Sequence, residues 1–147
     1  MNRLASQITG AAVMIVGLGL LSGLTAAGQQ KEPSAASGWV KLPAAGETTA
    51  LAFVSVDNPT MYAIYLLSAS SDAAGKVEMR EVAKDGTEKT TEEVTVPAYG
   101  GVEMEPKGLH LVLSDLKKPL KEGDTVTLSV TTEAGTKLDV AAPVKKE

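Results

Sequence analysis

Cysteine is absent from the 147 residues, so disulfide staples, thiolate metal sites and thiol catalysis are all closed to this chain. Aromatic side chains make up only 3%, and a core must be assembled from Val, Leu, Ala and a few Met residues. Such material suits many short strands packed face to face better than a large catalytic barrel. Basic residues are outnumbered, 14 against 18 acidic, which argues against nucleic acid and anionic lipid headgroups as partners. Histidine occurs once, at His110. With no Ser-His-Asp pattern beyond chance, no phosphate-cradling glycine loop and no recognisable catalytic acid pair, the residues describe a binding protein and not an enzyme.

One long apolar run is present. Gly10–Leu24 follows Arg3, the only charge before Lys31, and leads into Thr25-Ala26-Ala27, small residues suited to signal peptidase. This predicts export with a signal peptide over 1–27. The other outcome is a retained membrane anchor, because a spanning helix needs about 20 apolar residues. Leu21-Ser22-Gly23 has the form of a lipoprotein box, but Leu24 stands where the acylated cysteine would be. Losing Arg3 with the signal leaves 13 basic against 18 acidic residues, a net charge near −5. Residues 28–37 are Gln, Lys, Glu, Pro, Ser and Ala with one Gly, too polar to form a core and predicted to be a flexible tether. A single domain is expected over 38–147.

Within that domain, short apolar runs alternate with turn signals such as Asp57-Asn58-Pro59, Asp85-Gly86 and Glu122-Gly123-Asp124, an all-β rhythm without a helical stripe or an internal repeat. In Gly108–Val126, Leu109, Leu111 and Leu113 share one face of a strand, and His110, Val112 and Ser114 share the other. The imidazole is predicted to look outward. Met61-Tyr62-Ala63-Ile64 either forms an exposed apolar patch suited to a protein partner or starts a buried strand early.

Several segments together resemble the periplasmic PCu(A)C copper chaperones. They are Gly38-Trp39-Val40-Lys41, Ala52 to Pro59 (AFVSVDNP), Ser70 to Glu78 (SSDAAGKVE), Pro97 to Gly101 (PAYGG), and the Leu116-Lys117-Lys118-Pro119-Leu120-Lys121-Glu122-Gly123-Asp124 turn that follows His110. The resemblance spans nearly the whole mature domain. It implies a cupredoxin-like Greek-key β-sandwich and a role in handing copper(I) to cytochrome c oxidase or another periplasmic acceptor. It also implies a copper(I) site of two histidines and two methionines, soft and borderline ligands that suit the monovalent ion.

At those positions this chain carries Arg80, Glu88 (or Thr91), His110 and Val112, so one ligand of the implied set survives. Met79 and Met104 are expected to fill the core, and Met61 to lie in a loop. Two arrangements of the replacements are open. Arg80 and Glu88 can form an ion pair beside His110, putting a guanidinium where the ion's charge would be. Alternatively they are solvated side chains on an open strand face, contributing under about 1 kcal/mol if they pair at all. His110 with Glu78, Glu88 or Asp115 offers at most a weak site for zinc or copper(II). Two function classes follow: copper delivery, or a non-metal interaction module on the same sandwich. Contact with a membrane is expected only if the signal segment is retained.

Overall fold

The computed structural model describes residues 31–147, and the signal-peptide expectation for 1–27 falls outside them. Ten strands follow in order: β1 Ser34–Lys41, β2 Ala50–Asn58, β3 Ile64–Ser71, β4 Ala74–Val82, β5 Glu88–Thr90, β6 Val94–Val96, β7 Gly100–Glu103, β8 Leu109–Leu116, β9 Thr125–Thr132 and β10 Lys137–Lys145. No helix occurs among the described residues, as the sequence rhythm predicts.

The strands form two hydrogen-bonded layers. One runs β5-β4-β8-β2-β1, with β7 sharing an edge of β2 beyond β8; the other runs β10-β9-β3-β6. A short parallel pairing, Val40 with Val144 and Lys41 with Lys145, joins them through β1 and β10. Alternation places Ala50, Ala52, Val54 and Val56 of β2, Met79 of β4 and Leu111 and Leu113 of β8 on the face turned to the second layer, where Leu66, Val96, Leu128 and Val130 meet them. Burying each of these larger side chains contributes roughly 1.5–3 kcal/mol. Met79 and Met104 are core residues, as expected.

β1 begins at Ser34, inside the stretch read as a tether and four residues before the expected domain start at Gly38. The reason is tertiary: Ser34 and Ala35 pair with Asp57 and Val56 of β2, which supplies hydrogen bonds that the composition of this stretch does not announce.

At the far end of β2 the Asp57-Asn58-Pro59 turn is built around a buried carboxamide. Asn58 Nδ2 faces the carbonyl oxygens of Tyr62 at 2.8 Å, Pro97 at 3.1 Å and Val96 at 3.3 Å, and Oδ1 accepts from the Thr60 N–H and hydroxyl. One side chain thereby ties the 59–62 loop to the chain leaving β6.

Candidate functional site

The site is set by the register of three neighbouring strands. On β4 and β8, Arg80 lies opposite His110, Glu78 opposite Val112 and Lys76 opposite Ser114; on β4 and β5, Val82 lies opposite Glu88. Paired residues share a face, so Glu78, Arg80, Glu88, His110 and Val112 all stand on the side of the first layer turned away from the main core.

That face is not open at His110. The histidine is 2% exposed, a correction to the expected outward imidazole. Phe53, next to it on β2, brings its ring to 6.5 Å at 50°, and Trp39 on β1 stacks on Phe53 at 4.6 Å. The Glu88 carboxylate reaches in from β5 on the other side, with Oε1 3.0 Å from His110 Nε2. Val112 is buried as well. Alternation gave the face correctly; the aromatic cover and the edge strand decide that it is closed.

His110 Nδ1 lies 3.0 Å from the Gly108 carbonyl oxygen, which only accepts, so this nitrogen donates. Nε2 faces a carboxylate, also an acceptor. Both ring nitrogens are thus engaged, and a metal at Nε2 would have to displace Glu88.

Arg80 completes the cluster. Its Nη1 lies 3.6 Å from Glu88 Oε1, and Nη2 donates to Glu78 Oε2 at 2.9 Å. Lys76 Nζ holds the other Glu78 oxygen at 2.7 Å. Hydrogen bonds from Lys76 and then Arg80 hold the Glu78 carboxyl below its usual range, and the bond to Glu78 raises Arg80 further above its own. Arg80 Nε is buried without a partner. The ion pair beside His110 is therefore the arrangement found. It draws in Glu78, whose role as an ion-pair partner the sequence reading did not foresee; its place two residues before Arg80 on a strand was the available signal.

The other expected participants stand apart. Thr91 joins β4 through its backbone N–H to the Met79 carbonyl, leaving Glu88 as the residue that reaches His110. Asp115 is exposed five residues along β8 from His110, with a left-handed φ of 54°. Met61 and Tyr62 are 53% and 71% exposed in the loop before β3, which itself begins at the half-buried Ile64. The exposed patch is the outcome there, and the early buried strand is not.

The residues do not fit copper(I). A guanidinium has no lone pair to give, Glu88 offers hard oxygen, Val112 offers nothing, and His110 is held on both nitrogens. Among the described residues, no three His, Cys, Asp or Glu side chains converge as a metal site.

The fold is that of a PCuAC-type, cupredoxin-like β domain. The copper(I) form of DR1885 from Deinococcus radiodurans matches 83% of this chain and 84% of its own length at 26% identity and a TM-score of 0.68. The copper-bound PCuAC domain from PmoF2 matches 78% of this chain and 92% of its own length at 22% identity and a TM-score of 0.65. The chain belongs to the LpqE-like family, described as "Putative lipoprotein LpqE-like", whose model matches residues 34–144. "Putative lipoprotein Lxx21020" of Leifsonia xyli subsp. xyli is 32% identical over 142 residues, covering 94% of this chain and 82% of that protein. The lipoprotein names point to export. This chain has no cysteine to carry a lipid.

Proposed function

We propose that this chain is an exported copper-chaperone-type domain in which an ion-pair cluster has taken the place of the copper(I) ion. It serves as an interaction module within periplasmic copper handling, and it does not carry copper tightly. The observation behind this reading is the position of Glu88 Oε1, 3.0 Å from His110 Nε2 and 3.6 Å from Arg80 Nη1. A single positive guanidinium, neutralised by carboxylates, supports a closed site without metal. The copper(I) bound to DR1885, to which this chain is 26% identical, supports the link to copper. Delivery to cytochrome c oxidase or another acceptor is the partner role that follows from the resemblance.

Any copper held by this chain would sit at His110 after Glu88 had moved away, with no sulfur ligand on the same face. The reading is tested by rebuilding the implied ligand set. Arg80 faces His110 across β4 and β8, and Glu88 and Val112 share their side of the layer, so R80H/E88M/V112M places two imidazoles and two thioethers together. The rebuilt protein is expected to gain one-to-one copper(I) binding that the natural chain lacks. If it folds yet gains nothing, the proposed correspondence of positions is wrong.

A further inference from the structure

A second surface lies at the other end of β2. His110 sits one residue beyond the Ala52–Leu111 pair, beside Phe53, and Asn58 is five residues further along, roughly 17 Å at strand spacing. Beyond Asn58 is a groove of about 560 Å³ whose lining includes Lys31, Glu32, Met61, Tyr62, Tyr99 and Leu138. Tyr62 and Tyr99 are the most exposed large apolar side chains of the described residues, at 71% and 74%.

These rings are held out by structure. Asn58 fixes the Tyr62 carbonyl, and the Tyr99 N–H donates to the Thr60 carbonyl at 3.0 Å. Tyr99 takes a left-handed φ of 52°, a conformation that costs a non-glycine residue roughly 1–2 kcal/mol. The strands on either side are tied down: a Cβ on Gly101 would stand 2.7 Å from the Val56 carbonyl oxygen. Strain is thus kept at a position that displays an aromatic ring to the exterior.

What meets this surface is indicated by where the described chain begins. Lys31, Glu32 and Pro33 line the groove themselves. Upstream, only residues 25–30 separate Lys31 from the uncharged run Gly10–Leu24, a span of about 20 Å at full extension. The nearby charges, Lys31, Glu32 and Glu133, are mixed in sign and offer no basic collar for anionic headgroups. Tyrosine, with an apolar ring and a polar tip, is the side chain suited to the boundary between acyl chains and headgroups.

We infer that, where the Gly10–Leu24 run is kept as the membrane anchor and not removed with the signal, the Met61–Tyr62–Tyr99 surface rests on the zwitterionic phospholipid bilayer that holds it. The two contacts together orient the domain, with the Arg80–Glu88–His110 cluster at the end away from the lipid. The inference is independent of whether that cluster replaces copper.

The test uses the full chain, synthesised in the presence of phosphatidylcholine vesicles that contain a photoreactive phosphatidylcholine. The three tyrosines supply an internal standard, because Tyr65 is 37% exposed and lies outside the groove lining. Undocked, Tyr62 and Tyr99 should be oxidised by hydroxyl radicals more than Tyr65. Docked, the order inverts, with labelling of Tyr62 and Tyr99 falling about threefold or more, and lipid crosslinks appear at Met61, Tyr62 or Tyr99. Crosslinks confined to 10–24 with the undocked tyrosine order overturn the inference. So does protection without lipid crosslinks, which assigns the surface to a second copy or to the chain's own apolar run, and so does a chain that fails to stay with the vesicles.

Discussion

Removing the Glu88 carboxylate isolates the energetic role of the cluster. In Glu88→Ala, His110 Nε2 loses the one side chain that faces it, and the ring is only 3% exposed, so little water reaches it directly. Leaving a buried polar group unpaired costs about 1–3 kcal/mol. Glu88 itself is 42% exposed, so its removal opens a path for solvent and pulls the expected cost to the lower half, about 1–2 kcal/mol. The lost contact with Arg80 adds little, since that guanidinium is over a third exposed and keeps Glu78. Urea unfolding measures the effect, with Glu81→Ala, an exposed acid on the same β4–β5 ladder, as the control expected to change stability by no more than about 0.5 kcal/mol. Glu88→Gln keeps a carboxamide that can pair with His110 Nε2 as acceptor or donor and should recover most of the loss. Equal midpoints for Glu88→Ala and Glu81→Ala would refute the claim that the ion pair holds a buried histidine.

Asn58→Ala strips partners from a fully buried junction and should cost about 2–4 kcal/mol in urea unfolding, with hydrogen exchange rising first in the 59–62 loop. Asn58→Asp, which points a carboxylate at three carbonyl oxygens, should be worse. The depressed Glu78 carboxyl stabilises the fold above its ordinary range near pH 4.5 and ceases to do so as pH falls through its lower folded value. Thermal melts from pH 6 to pH 3 should therefore show a shallower acid decline in Glu78→Gln; parallel curves would remove Glu78 from the account.

The short apolar runs of the sequence became strands because alternation and turn residues report local geometry faithfully, as in Ala52–Val56 and Leu109–Leu113. β5 was not legible. Glu88-Lys89-Thr90 is exposed at each position and lacks an apolar side chain, and it exists only as an edge paired to β4. Because that strand carries Glu88, the missing element is also why His110 read as open: periodicity assigns a side chain to a face and is silent on what covers the face. Family likeness supplied the positions Arg80, Glu88 and Val112; the β4–β8 register brought Arg80 beside His110 and the β4–β5 pairing brought Glu88. The Met61–Tyr62 segment stayed ambiguous for a related reason. An apolar run before a strand is exposed or buried according to the length of the preceding turn, which here is set by the Asn58 side chain.

The most direct measurement is a competition titration of the full chain with copper(I) against a chelator of known affinity, with His110→Ala beside it. The account expects the natural chain to bind no more tightly than the variant, since both nitrogens of His110 are engaged and no thioether stands on its face. Tight one-to-one binding that disappears in His110→Ala would contradict it and return the chain to copper carriage.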